Sequence, residues 1–257
     1  MRQLYIYLAA LLLAFTVASG AQATTVTLQS LFSGGSIIAG DKQFADFYVI
    51  DQTSVGDGST PDYGLITVTA LNDGGMNPGP GLLFATNGQL TATGDTFGYS
   101  SSELFFGFSV TVMDPSKLIE DASLSFSNST ISGSGDNGVT VVEQVGTTQA
   151  SVANNLYPAA DLATINTEFS WLDATLGGGG QTSNPSGSAN FAPLSKIYVS
   201  KDLYVWSGSP SETAIMGDIT QRFSQVPVPE PNMVLLMTVG LMGFAFSAKR
   251  RKSLHGE

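Results

Sequence analysis

An all-β fold, either a β-sandwich or a jelly-roll-like domain, follows from two features of the middle of this chain. Apolar residues alternate with polar ones, and clusters of Gly, Asn and Asp separate the alternating runs. Leu104, Phe106, Phe108, Val110 and Val112 alternate with Phe105, Gly107, Ser109 and Thr111, the period of a strand with one buried face. Leu124 and Phe126 stand between Ser123, Ser125 and Ser127, and Ile215, Gly217, Ile219, Gln221 and Phe223 repeat the period. Shorter β-rich runs at 26–32, 44–50, 65–71, 139–145 and 197–206 predict further strands. Turn residues sit between them at Ser33-Gly34-Gly35, Gly56-Asp57-Gly58, Asn72-Asp73-Gly74-Gly75, Gly135-Asp136-Asn137-Gly138 and 177–180. Such strands bury their apolar sides against a second sheet and leave the Ser/Thr sides wet.

Three segments read differently. Asp114 followed by Pro115 offers a cap and a first-turn proline, which predicts a single helical turn over 114–120. In 156–175, Leu162, Ile165, Phe169 and Leu172 fit either a helix or an irregular strand. The glycine run and the polar residues of 176–192 predict a long mobile loop, either a binding loop or an insertion without a role. No repeat of solenoid or propeller length is visible, which argues against a stacked-repeat adhesin.

Composition narrows the chemistry. The 257 residues include no Cys and one His, His255, so disulfides, thiolate metal sites and cysteine nucleophiles are excluded and histidine-dependent catalysis is disfavoured. A hydrophobic content of 42% with 12% charged residues fits a folded chain rather than a disordered one. Between residues 24 and 226 stand five cations and 19 carboxylates, a net charge of -14. That segment repels nucleic acid and anionic lipid, and solubility explains its acidity better than recognition of a cationic partner.

Both ends read as membrane signals. Residues 1–23 carry Arg2, an apolar stretch over 4–17 and the small-residue pattern Ala21-Gln22-Ala23, which predicts a signal peptide cleaved after Ala23 by the secretion machinery. An uncleaved N-terminal anchor is the alternative. At the other end, 227–231 form a Pro-rich spacer that disfavours helix. Residues 232–248 follow without a charge, and 249–257 open with Lys249, Arg250, Arg251 and Lys252. The apolar run predicts a short transmembrane helix of roughly 25 Å. The basic cluster keeps the tail 249–257 cytoplasmic and the domain 24–226 outside. A buried core helix is the competing reading of 232–248.

Pro229-Glu230-Pro231, an apolar helix and a C-terminal basic cluster, in that order, resemble the PEP-CTERM sorting signal. The resemblance covers about 30 residues and nothing of the rest. It implies a partner, an exosortase-like membrane enzyme of the cysteine transpeptidase type, in bacteria that also export polysaccharide. It also implies processing near Pro229, Glu230 and Pro231 and a membrane stop at Lys249, Arg250, Arg251 and Lys252. The chain continues through Ser253-Leu254-His255-Gly256-Glu257 beyond that stop. A permanent anchor behind a proline stalk is the alternative. The expected product is an exported protein, held in the inner membrane until it is sorted to the surface or released. Its expected role is non-enzymatic, as an envelope or biofilm matrix component associated with exopolysaccharide.

The residues themselves offer three weaker chemistries. Two carboxylates suffice for glycan hydrolysis, and Glu103, Glu120, Glu143, Glu168 and Glu212 are the candidates, with Trp171 near Glu168 as a sugar platform. Calcium needs only oxygen ligands, and Asp57, Asp62, Asp73 and Asp136 lie in turns, although turn formation accounts for each; a calcium-stabilised adhesin would use them. Tyr48, Tyr63, Tyr99, Tyr198, Tyr204 and Trp206 are the aromatics that a sheet face would offer to carbohydrate, with packing as the competing role. No catalytic residue, cofactor or nucleic-acid partner is assigned.

Overall fold

The computed structural model describes residues 23–96, 98–133, 135–153, 162–172 and 180–228. Ala21, the triplet Pro229, Glu230 and Pro231, the expected helix 232–248 and the basic residues Lys249, Arg250, Arg251 and Lys252 lie outside the described residues. Among those described, no helix is long and apolar enough to cross a membrane.

Two antiparallel sheets carry the fold. The first runs in the order Gly180–Asn184, Ala163–Leu172, Asn137–Gly146, Lys196–Ser207, Ser100–Val112, Lys42–Val55 and Ile37–Ala39. The second runs Thr25–Thr27, Thr67–Leu71, Gly81–Ala85, Asp218–Arg222, Lys117–Ser127 and Ser186–Leu194, with Gln225–Pro227 also pairing with Lys117–Ser127. A four-stranded sheet of Thr130–Ser132, Thr213–Ile215, Thr91–Thr93 and Asp57–Gly58 completes the architecture. The alternation read from 104–112 places Leu104, Phe106, Phe108 and Val110 in the core. Phe84 of the second sheet meets Phe106 and Phe108 of the first at centroid distances of 5.7 and 6.2 Å. The architecture is therefore sandwich-like.

Four local expectations change. Of the run 26–32 only Val26 and Thr27 are strand, as the end of Thr25–Thr27. Leu28–Phe32 is a short helix because the Thr27 hydroxyl accepts from the Ser30 backbone at 3.2 Å and Leu28 and Leu31 both turn inward. The helical turn expected over 114–120 is absent. The Asp114 carboxylate instead accepts from the Ser116 backbone and hydroxyl at 3.0 and 2.6 Å, closing a turn that launches the strand Lys117–Ser127. Ile119, Ala122, Leu124 and Phe126 then reach the core, and this burial outweighs the cap signal.

The loop expected over 176–192 is largely strand, since Gly180–Asn184 pairs with Ala163–Leu172 and Ser186–Leu194 pairs with Lys117–Ser127. Finally, the run 215–223 divides at Gly217 into Thr213–Ile215 and Asp218–Arg222, which belong to different sheets. A Cβ on Gly217 would stand 2.1 Å from the Ser127 carbonyl oxygen, so glycine permits the crossing there. The ambiguous segment 156–175 contains the strand Ala163–Leu172.

Candidate functional site

The strand Lys196–Ser207 turns Val199, Leu203 and Val205 into the core, so Tyr198, Ser200, Asp202, Tyr204 and Trp206 point away from the second sheet. Tyr204 and Trp206 are two residues apart on that outer face, and their rings stack at 5.7 Å with an interplanar angle of 19°. Tyr99, 47% exposed, precedes the neighbouring strand and bonds its hydroxyl to that of Tyr204. With Thr140 these three rings line an open trough of about 430 Å³.

The platform is held from its edges. The Trp206 indole N–H donates to Asp136 at 3.0 Å. Glu212 fixes the loop that carries Asp136, accepting from the Gly135 backbone at 2.9 and 3.0 Å and from the Asn137 amide at 3.0 Å. Burial, with the Tyr99 hydroxyl beside it, pushes the Tyr204 phenol up, so it stays neutral at physiological pH.

Carboxylates stand in the adjoining rows. Register places Glu103 opposite Tyr204 and Thr53, and Asp202 and Asp51 both opposite Phe105. Thr53 donates to Glu103 at 2.8 Å. Burial, reinforced by the charges of Glu103 and Asp51, pushes Asp202 up to about 7. Asp202 was not among the candidates from sequence, because its significance comes from cross-strand neighbours that only register supplies.

The remaining candidates have other surroundings. Glu143 is buried against Lys201. Glu120 sits in the strand Lys117–Ser127 of the second sheet, its backbone bonded to Ser224. The backbone of Glu168 pairs with Thr140 and that of Trp171 with Asn137. Asp73 pairs with Arg222 at 2.8 Å, Asp62 caps Gly64, Asp57 begins a two-residue strand and Asp136 holds Trp206. These four aspartates do not converge, and the described residues contain no metal-holding group of three or more His, Asp or Glu. Tyr63 packs against Phe32 at 5.0 Å, away from the platform. Tyr48 lies over Gly107, where a Cβ would meet its ring at 2.5 Å, and burial with Tyr198 beside it pushes its phenol up to about 12. Lys196 sits 4.9 Å over the Tyr198 ring.

Comparison with solved structures returns low-identity likenesses. TmCBM61 in complex with β-1,4-galactotriose is 11% identical, with a TM-score of 0.25, over 67% of this chain and 88% of that one. The carbohydrate-binding module TmCBM27, described for specific mannan recognition, is 9% identical with a TM-score of 0.26 over 78% and 96%. The native family 12 xyloglucanase from Bacillus licheniformis is 9% identical with a TM-score of 0.23 over 80% and 100%. No curated protein matches the chain in sequence. At the C-terminal end, residues 227–251 match the PEP-CTERM protein-sorting motif, the signal of an exported, surface-sorted protein and substrate of exosortase-type processing.

Proposed function

We propose that the exported domain is a non-enzymatic glycan-binding component of the envelope or biofilm matrix, taking exopolysaccharide on the outer face of the first sheet. The observation that carries this reading is the trough lined by Tyr99, Tyr204, Trp206 and Thr140. Flat rings with polar edges suit a sugar, which presents C–H groups on its faces and hydroxyls around its rim. Glu103, Thr140 and Asp202 lie on the same face to meet those hydroxyls. The trough falls within the roughly 300–1,000 Å³ range of ordinary small-ligand sites.

Carboxylate-dependent hydrolysis is the second reading, and the Glu103–Asp202 pair is the observation that favours it. Glycosidase acids flank the bond they cut, at roughly 5–5.5 Å or 6.5–9.5 Å from each other. Glu103 and Asp202 come from adjacent strands in diagonal register, Glu103 opposite Tyr204 and Asp202 opposite Phe105, and Asp202 Oδ1 is buried without a hydrogen-bond partner, so Asp202 presents at most one carboxyl oxygen to a substrate. The decisive experiment applies the exported protein to immobilised polysaccharides and follows both retention and reducing ends. Retention without new reducing ends, weakened about tenfold or more by Trp206→Ala, is expected from loss of a central stacking contact. Release of reducing ends that Glu103→Gln abolishes would replace binding with hydrolysis.

In the proposed sorting route, the helix 232–248 holds the domain outside the inner membrane until an exosortase-like enzyme acts near Glu230. Replacing Pro229, Glu230 and Pro231 with alanine is expected to leave the C-terminal segment on the protein, read by intact mass. Unchanged processing would instead favour the permanent anchor.

A further inference from the structure

Lys201, Glu143 and Gln221 meet in the core with no side-chain exposure. Lys201 and Glu143 are cross-strand partners in the first sheet, and Gln221 enters from the second, between the registered positions of Leu82 and Leu124. The Lys201 ammonium nitrogen hydrogen-bonds to Glu143 Oε2 and to Gln221 Oε1. The Gln221 amide also faces the Glu143 carboxyl, whose Oε1 is buried without a hydrogen-bond partner. Phe106, itself fully buried, stands opposite Lys201 on the neighbouring strand.

We propose that Lys201 and Gln221 join in an isopeptide bond between the two sheets, with Glu143 relaying the proton. An amine hydrogen-bonded to an amide oxygen lies roughly 3–3.5 Å from the amide carbon, the separation from which attack proceeds. Burial lowers the Lys201 pKa and raises that of Glu143. The pair therefore favours a neutral amine, which is nucleophilic, beside a neutral carboxylic acid, which can donate. Lys201 Nζ bonds to Gln221 Cδ and the Cδ–Nε2 bond breaks. One amine proton passes through Glu143 to the departing nitrogen, which leaves as ammonia. No oxidant or other reactant is required, and exclusion of water protects the product from hydrolysis.

Two further observations sharpen the assignment. The chain is exported and has no cysteine, so it has no disulfide to fasten one sheet to the other. The same residue types meet once more, where Lys42 donates to Gln225 at 2.6 Å. There the carboxylate is Asp41, 16% exposed and shared with Lys117, so it lacks the enclosure around Glu143.

Trypsin tests the bond on the full-length protein, because Lys201 is the only trypsin site between Lys196 and Arg222. The linked protein is expected to yield residues 197–222 as one fragment, about 17 Da lighter than its linear mass because ammonia has left. Cleavage after Lys201 into two fragments of unmodified mass would overturn the proposal. A loss of about 18 Da, with the fragment containing Glu143 attached, would place the bond on the wrong partner and overturn it too. Glu143→Gln is expected to restore cleavage at Lys201, and persistence of the link in that variant would refute the proton relay. The wild-type digest decides the bond itself even where a variant fails to fold.

Discussion

The indole of Trp206 is held at one edge by Asp136, so orientation and contact area can be tested separately. Asp136→Ala keeps the ring and removes its anchor; glycan retention is expected to fall roughly threefold to tenfold, consistent with loss of about one hydrogen bond. Asp136→Asn retains an accepting oxygen and should keep most of the retention. Asp202 supplies a second residue-scale test. Its carboxyl is pushed from an ordinary value near 3.8 to about 7, so the folded state keeps a proton that the unfolded chain releases. The stabilisation linked to that proton is complete below about pH 4 and is lost as pH rises to about 7. Asp202→Asn should flatten this decline, measured as Tm from pH 4 to 8, and raise stability at pH 8 by roughly 1–3 kcal/mol once solvent screening is allowed for.

Strands whose apolar residues alternate were legible without coordinates, and Ser100–Val112 is the clearest: the face turned to the second sheet takes Leu104, Phe106, Phe108 and Val110, although nearly the whole strand is buried. The short helix Leu28–Phe32 was hidden because Leu28 and Leu31 share a helical face over only five residues, too short a span for that spacing to stand out from the β-rich run around it. Ser186–Leu194 was hidden for a different reason: its serines, glycine and asparagine read as loop, and only Ala189, Phe191 and Leu194 pack, half-buried, against the core. Gly81–Ala85 shows what backbone approach demands. A Cβ on Gly81 would stand 1.8 Å from the Gln221 carbonyl oxygen, so Gly81→Ala is expected to part the strand from Asp218–Arg222 and to cost roughly 3 kcal/mol or more, read by urea denaturation. At the site, the aromatic candidates Tyr99, Tyr204 and Trp206 were readable as residue types. The stacking of Tyr204 on Trp206 follows from their two-residue spacing on one strand, whereas bringing Tyr99 to them requires the register of Lys196–Ser207 against Ser100–Val112.

For the whole molecule, a charge of -14 over residues 24–226 sets which glycans approach the trough. At low salt, retention on neutral polysaccharide should exceed that on a uronate-rich one by about tenfold, and the gap should close as ionic strength rises through 0.15 M or more. Equal retention at every salt concentration would remove electrostatics from the choice. The C-terminal signal was legible as a three-part order of residues because sorting acts on local sequence, whereas the trough required the folded sheet. One part of that sheet matters most in a crowded secretion. The stretch from Gly180 to Leu194 turns at Pro185 and hems both sheets with a single thread. Pro185 and Pro193 interrupt its backbone, and its pairing is irregular between Asn190 and Leu194, so it offers a neighbouring copy little continuous edge to pair with and the protein can be packed densely among sugar chains without knitting itself into fibres.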